Sequence, residues 1–160
     1  MSVRPRERDS LHRQHGLAIV EFALTMPVLF VLLFGTVEFS HFLIQYSALN
    51  AAVRNAARYV AGAALKGTDG RLVTGGAWTT LATQGQHLAV FGNSLGNGTA
   101  VLPGLDVGQI TVTEDTNHNN ITVAAAYPYE SLFGAAIPTF MGGSISTTYT
   151  LAISTTMRAI

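Results

Sequence analysis

The sequence contains no cysteine and few charged residues. The absence of cysteine excludes disulfides, a thiolate nucleophile and a cysteine-ligated metal site. Lysine, arginine, aspartate and glutamate make up 11% of the 160 residues, whereas a typical soluble domain has about 25%. Basic and acidic residues number nine each, so no net charge indicates a nucleic-acid or acidic partner. The positive mean hydropathy of +0.33 predicts a protein with much of its surface against lipid or other protein.

Local motifs for catalysis and for cofactor binding are also missing from the sequence. No G-x-S-x-G elbow, phosphate-binding loop or locally spaced carboxylate pair occurs, and the five histidines are scattered. Asp115, Asn117 and Asn119 match the first half of a calcium loop, but Asn120 and Ala126 stand where that loop needs glycine and glutamate. We therefore predict a hairpin turn there, and a non-enzymatic protein without cofactor or metal.

One long apolar run dominates the N-terminal part of the chain. Leu17 to Val37 are 21 positions with Glu21 as the only ionisable residue, and at about 1.5 Å per residue they form a helix of roughly 31 Å. Four arginines precede this run, opposed by only two acidic residues. The length of the run predicts a transmembrane helix. The excess of basic residues before it predicts that the N-terminus is cytoplasmic.

A cleaved secretory signal is the alternative interpretation of this run. Such a signal has an apolar region of about 7 to 15 residues followed by a small-x-small cleavage site. The run here is longer, and the residues from Glu38 to Phe42 contain no such pair. A membrane-spanning helix therefore fits the sequence better.

The helix is predicted to continue beyond the membrane, from about residue 17 to about residue 64. Large apolar residues follow a heptad seam there, and no proline or glycine occurs between positions 36 and 61. This outer half is either the core helix of an exported domain or a stalk that packs against copies of itself. Pro27 removes a helix hydrogen bond, and we expect a kink or a locally extended segment there. The seam consists of Phe39, Phe42, Tyr46, Leu49, Val53, Ala56 and Val60.

Residues 65–160 are predicted to form a small domain that contains one helix and an antiparallel sheet. Helix-like spacing over 77–91 predicts a second helix between two glycine-containing loops. Period-two alternation on both sides of 115–120 predicts a β-hairpin, and 144–157 predicts a third strand after a loop at 129–143. The expected fold class is α+β, with this sheet packed on the outer half of the long helix.

Three sequence blocks resemble the TadE-like family, the minor pilins or pseudopilins of the tight-adherence (Tad, Flp-type) pilus. They are EFAL-x-x-P at Glu21–Pro27, A-x-R-x-x-A-R-Y at Ala52–Tyr59, and TTMR at Thr155–Arg158. The major Flp-type pilins carry tyrosine after the glutamate, whereas this chain has Phe22. The difference favours a minor subunit.

Gly16, followed five residues later by Glu21, resembles a class III signal peptide of type IV pilin-like proteins. The resemblance implies that a prepilin peptidase cleaves after Gly16, which has no side chain to resist an extended conformation in a protease site. Cleavage would leave a largely cationic α-amine on Leu17. Glu21 would then pair with the amine of a neighbouring subunit inside the filament. The simpler alternatives are a helix break at Gly16 and a hydrated Glu21 near the cytoplasmic interface.

Arg54 and Arg58 are four residues apart and share one face of the predicted helix. Without the family resemblance, a solvated face is the simpler interpretation, because exposed charges contribute little stability. The resemblance implies a structural role instead, in docking to a neighbouring subunit or to the protein's own sheet. Together with Glu21 and Pro27, these two arginines are the residues predicted to act in assembly.

The sequence thus predicts four segments. Residues 1–16 are a cytoplasmic leader, 17–37 the transmembrane half of the long helix, 38–64 its periplasmic half, and 65–160 the exported domain. The predicted location is the inner membrane, with the C-terminal domain in the periplasm and outside the cell after assembly.

The expected function is that of a minor pilin that takes part in pilus assembly, adhesion or biofilm formation. Its expected partners are the prepilin peptidase, other pilin subunits, the Tad inner-membrane assembly machinery and the lipid bilayer, with no nucleic acid. An uncleaved bitopic assembly factor of the same machinery is the first alternative. A membrane-tethered periplasmic enzyme or binding domain is the second, and it would need a concave polar site in the exported domain.

Overall fold

A computed structural model describes residues 7–65, 70–134, 136–138 and 142–160 of the chain. The chain forms two compact units, Met1–Ser40 and His41–Ile160. The first six residues of the predicted leader, and residues 66–69 of the loop after the long helix, lie outside the described residues.

Helix α1 spans Glu7–Ala63, so it begins before the predicted start near residue 17. The residues before Gly16 include glutamate, arginine, leucine and glutamine, which favour helices without forming an apolar periodic pattern. Gly16 therefore lies inside the helix, and the helix break considered for it is absent. Pro27 also lies inside α1, and the backbone on both sides of it is helical. The backbone at Pro27 is therefore not extended, and the kink, which was the other expected alternative, stays a prediction.

The first unit contains the apolar part of α1. All side chains from Ala18 to Val37 are exposed, although most of them are apolar. An exposed surface of this composition is unfavourable in water and favourable in lipid.

In the second unit, the remainder of α1 supplies the central helix of the domain core. The last four seam residues, Leu49, Val53, Ala56 and Val60, are fully buried, whereas Tyr46 is exposed. The outer half of the seam is therefore a core helix, as the first of the two interpretations held.

Helix α2 spans Gly76–Phe91 and confirms the predicted second helix. It ends at Gly92, whose positive φ of 71° places it in the left-handed region and whose N–H donates to the carbonyl of Leu88 at 3.0 Å. A short 3-10 turn, Val107–Gln109, follows. The side chain of Asp106 caps this turn by accepting from the N–H of Gly108 at 2.8 Å.

The strands form a three-stranded antiparallel sheet and a separate two-stranded hairpin. The three-stranded sheet has the order β1-β2-β5, and β3 pairs with β4. The predicted hairpin and third strand are confirmed, but 144–157 is divided between β4 and β5, and the predicted loop at 129–143 contains β3. The division falls at Thr147, whose buried hydroxyl donates to the carbonyl of Gly134. The strands are β1 (Ile110–Asp115), β2 (Asn120–Tyr129), β3 (Ala136–Pro138), β4 (Ser144–Ser146) and β5 (Tyr149–Arg158).

Alternation along β2 separates the two faces of the three-stranded sheet. One face is buried and belongs to the same apolar core as α1 and α2, with Ile121, Val123 and Tyr127 fully enclosed. The opposite face carries small side chains, mostly threonine, alanine and serine. The second unit is thus a two-layer α+β domain with both helices on one side of the sheet.

Candidate functional site

The predicted processing site lies on the helical backbone of the first unit. Gly16 and Leu17 are both in α1. Leu17 and Glu21 are four residues apart in this helix, which is roughly 6 Å along its axis. Glu21 is exposed, and it is the only ionisable residue from Leu17 to Val37. A carboxylate in this position is costly in a bilayer unless it is hydrated or paired with a cation.

Arg54 and Arg58 lie on the exposed side of α1 in the second unit, opposite the core residues. Neither guanidinium forms an ion pair or hydrogen bond with any residue that the structure describes. This arrangement does not support docking onto the protein's own sheet. It leaves both side chains available to solvent or to another molecule.

A polar cluster that the sequence analysis missed lies where the second unit begins. The side chain of Gln45 is only 4% exposed, and its Nε2 lies 3.1 Å from His41 Nε2. His41 Nδ1 lies 3.4 Å from the hydroxyl of Tyr129, and the ring of Phe42 meets that of Tyr129 edge to face, with centroids 5.4 Å apart. Through these contacts, the end of β2 packs against α1. The i, i+4 spacing of His41 and Gln45 was a weak signal, but the contact of His41 with Tyr129 spans 88 positions.

The turn between β1 and β2 is a hairpin turn, as predicted from its failure to match a calcium loop. His118 Nδ1 donates to Asp115 Oδ2 at 2.6 Å, and this hydrogen bond holds the pKa of Asp115 below its ordinary value of 3.8. Asn119 adopts a positive φ of 52° and donates through Nδ2 to the carbonyl of Gly70 at 3.1 Å. The turn is thereby joined to the segment that follows α1.

The open face of the sheet carries a shallow depression of about 270 Å³. Its lining contains no ionisable side chain: Gln109, Thr111, Ala124, Ala125, Ala126, Ala152, Ile153 and Ser154 surround it. It therefore offers no side-chain carboxyl, imidazole or amine that could act as an acid or a base, and nothing in the lining that would activate the hydroxyls of Thr111 and Ser154. Among the described residues, no group of three or more histidine, cysteine, aspartate or glutamate side chains is placed to hold a metal ion.

One helix in the described part of the chain, within Ala18–Ala63, is long and apolar enough to cross a membrane. It lies near the N-terminus, and none of its most apolar stretch is buried inside the protein. A soluble core helix would be buried, so the exposure indicates a single-pass membrane protein.

The family model described as TadE-like protein matches residues 16–58. Residues 16–58 are similar to the TadE-like family. The match confirms the resemblance over a segment that lies wholly inside α1 and includes none of the sheet. The match indicates that this segment is of the kind found in Tad pilus-related proteins. No curated protein and no solved structure gives a significant match.

The TadE-like segment contains every residue that the sequence analysis assigned to processing or assembly. In the structure, the side chains from Ala18 to Val37 are exposed, whereas those of Leu49 and Val53 lie in the core of the second unit. The assigned residues are Gly16, Leu17, Glu21, Pro27, Arg54 and Arg58.

Proposed function

We propose that the protein is a minor pilin or pseudopilin of a Tad pilus. The observation that carries the proposal is the TadE-like match over residues 16–58, with Glu21 exposed in an otherwise uncharged apolar helix. A single buried carboxylate in lipid needs a cationic partner. The α-amine that prepilin processing creates on a neighbouring subunit supplies one.

In this proposal, a prepilin peptidase cleaves after Gly16 on the cytoplasmic side of the inner membrane. The intact chain is helical at that point, whereas a protease cleaves extended peptide, so the helix must unwind locally. Glycine in a helix interior costs about 1 kcal/mol relative to alanine. Gly16 therefore lowers the free energy needed for unwinding at the cleaved bond.

After cleavage, the subunit stays in the inner membrane through α1, with the second unit in the periplasm. It then joins other pilin subunits through the Tad inner-membrane machinery and takes part in pilus assembly, adhesion or biofilm formation. Glu21 pairs with the α-amine of a neighbouring subunit and sets the axial register, and Arg54 and Arg58 contact another subunit from their exposed positions. The pilus carries the second unit outside the cell.

An uncleaved bitopic assembly factor of the same machinery is the second candidate function. The observation in its favour is the helical backbone from Glu7 through Gly16 and Leu17, which presents no extended segment to a peptidase. The two candidates differ in a single peptide bond.

The test is the N-terminal sequence and intact mass of the protein produced with and without a cognate prepilin peptidase. The proposal expects a chain that begins at Leu17 only when the peptidase is present. Gly16→Val is expected to abolish cleavage, whereas Gly35→Val, a matched change in open space on the same helix, leaves it intact. A chain that keeps residues 1–16 in both preparations overturns the pilin proposal and supports the uncleaved factor.

A further inference from the structure

The second unit has two ends, defined by what contacts each end of its α1 segment. At the His41 end, His41 and Phe42 contact Tyr129 at the end of β2. At the Ile160 end, the N–H of Ile160 donates to the carbonyl of Ala61 at 3.2 Å. Ala61 comes twenty helical positions after His41, and this length of helix separates the two ends by about 30 Å.

The His41 end carries a group of exposed apolar side chains. The loop after β2 exposes 55% of Leu132 and 41% of Phe133. Tyr149 pairs with Tyr129 in the sheet, which places it at the same end, and it is 58% exposed. On α1, Ile44 is 65% exposed within one turn of His41. Apolar groups from three separate segments thus share this end of the domain.

The segment that follows β2 at the His41 end has few charged residues, and its charge is negative, which does not favour contact with anionic lipid headgroups. From position 129 to position 149 the chain has a single charged residue, Glu130, and no lysine or arginine. Attraction to anionic headgroups requires basic residues. Any membrane contact here must therefore depend on the burial of apolar surface.

The length of the chain keeps this end close to the bilayer. His41 is four residues after Val37, where the apolar run ends. Four residues span about 6 Å as a helix and at most about 14 Å when fully extended. The constraint holds for any angle between the two units.

We infer that the His41 end of the domain inserts into the interfacial layer of the bilayer that α1 spans, with the loop at Leu132 and Phe133 as its deepest part. Aromatic and aliphatic side chains are favoured at this depth, where apolar surface meets the headgroups. The inference requires that α1 spans a membrane and does not depend on the pilus function.

The test places a single tryptophan at either end of the domain. The full-length chain carries Trp78→Phe, which removes its only tryptophan, together with Phe133→Trp or, as the matched control, Ile160→Trp. Ile160 is an apolar residue that is 82% exposed at the end away from the bilayer. Both proteins are reconstituted in neutral phosphatidylcholine vesicles that contain lipids brominated near the headgroup, and fluorescence quenching is measured against unbrominated vesicles.

The inference expects emission from Phe133→Trp to be quenched by the brominated lipid and shifted to shorter wavelength, at low and at high salt alike. Emission from Ile160→Trp is expected to be unaffected by the lipid and quenched by aqueous acrylamide. Should Phe133→Trp lower the unfolding temperature measured by circular dichroism, Leu132→Trp provides a second probe of the same loop.

Two results would overturn the inference. Quenching of both tryptophans by acrylamide alone places the loop in water. Protection of the loop tryptophan from both the lipid and acrylamide means that a protein surface, such as a second copy of this chain, covers it instead.

Discussion

Gly85 of α2 lies so close to Val60 of α1 that a Cβ atom added to the glycine would be 2.5 Å from Val60 Cγ2. Real Cβ atoms do not approach other atoms this closely, and the stiff, fully buried valine has no free space into which to rotate. The missing side chain is therefore what allows α1 and α2 to pack at this distance.

We predict that Gly85→Ala destabilises the domain although alanine is the better helix former. Overpacking of a core costs about 1–3 kcal/mol, which exceeds the roughly 1 kcal/mol gained in helix propensity. The matched control is Gly62→Ala, because a Cβ on this helical glycine meets nothing within 4 Å, and it should stabilise the domain. Thermal unfolding of the full chain in detergent, followed by circular dichroism, measures both changes.

The double variant Val60→Ala with Gly85→Ala tests whether the predicted clash causes the destabilisation. Val60→Ala removes the methyl group that Gly85→Ala would meet, so the double variant should be more stable than the sum of the single effects implies. Strict additivity would show that the clash is not the cause of the destabilisation.

Tyr127→Phe should destabilise the domain by about 0.5–1.5 kcal/mol, because the fully buried side chain would lose the hydrogen bond made by its hydroxyl. The hydroxyl of this fully buried tyrosine donates to the carbonyl of Pro103 at 2.7 Å, and burial together with the charge of Glu130 raises the pKa of Tyr127. Tyr149→Phe is the control, since its hydroxyl makes a longer, exposed bond of 3.4 Å to the carbonyl of Ser146. Equal changes in the unfolding temperature of the two variants would contradict the assignment.

The pKa of Asp115 should rise in His118→Gln. His118 donates to the Asp115 carboxylate and lowers its pKa below 3.8, so the ionised aspartate stabilises the folded turn above that value. The stabilisation is lost as the pH falls through the lowered pKa of the folded state. NMR titration of the Asp115 carboxyl group in both proteins measures the shift. An unchanged titration midpoint would mean that the two side chains do not interact in solution.

Under the proposed function, Glu21→Gln should be cleaved normally by the peptidase yet be missing from assembled pili, because the amide cannot neutralise the α-amine of a neighbouring subunit as the proposal requires. Glu38→Gln is the matched control, with the same chemical change just beyond the other end of the apolar run. Mass spectrometry of the membrane fraction reports cleavage, and immunoblotting of the sheared pilus fraction reports incorporation. Incorporation of Glu21→Gln at the level of the unaltered protein would remove the pairing role.

Periodicity in the sequence predicted the elements whose faces differ sharply in polarity. The buried positions Leu49 and Val60 on α1, and Ile121 and Val123 on β2, follow the periods of 3.6 and 2. The start of α1 at Glu7 was missed because the leader is helical without being amphipathic. The division at Thr147 was missed because a hydrogen bond to the carbonyl of Gly134, a tertiary contact, ends the strand there.

The candidate site was predictable to the extent that it lies in one contiguous segment. Glu21 and Arg54 were found from short sequence blocks, and the structure adds their exposure. The arrangement of Gln45 and Tyr129 around His41 was beyond sequence reasoning, because nothing local links residues that are far apart in the chain. The partner predicted for Glu21 is the α-amine of another subunit, so the sequence of one chain does not show where that amine lies.

The strand order β1-β2-β5 makes the domain dependent on its last strand. All ten residues of β2 pair with β5, whose first residue, Tyr149, comes twenty positions after Tyr129. In the proposed orientation the N-terminus stays in the cytoplasm and the residues after α1 cross the membrane in chain order. One edge of β2 therefore stays unpaired until β5, as far as Arg158, has also crossed. An open edge of this kind is a template for strands of other proteins. A subunit stalled during export would be anchored in the bilayer yet unable to close its domain, so complete export is a precondition for a folded subunit.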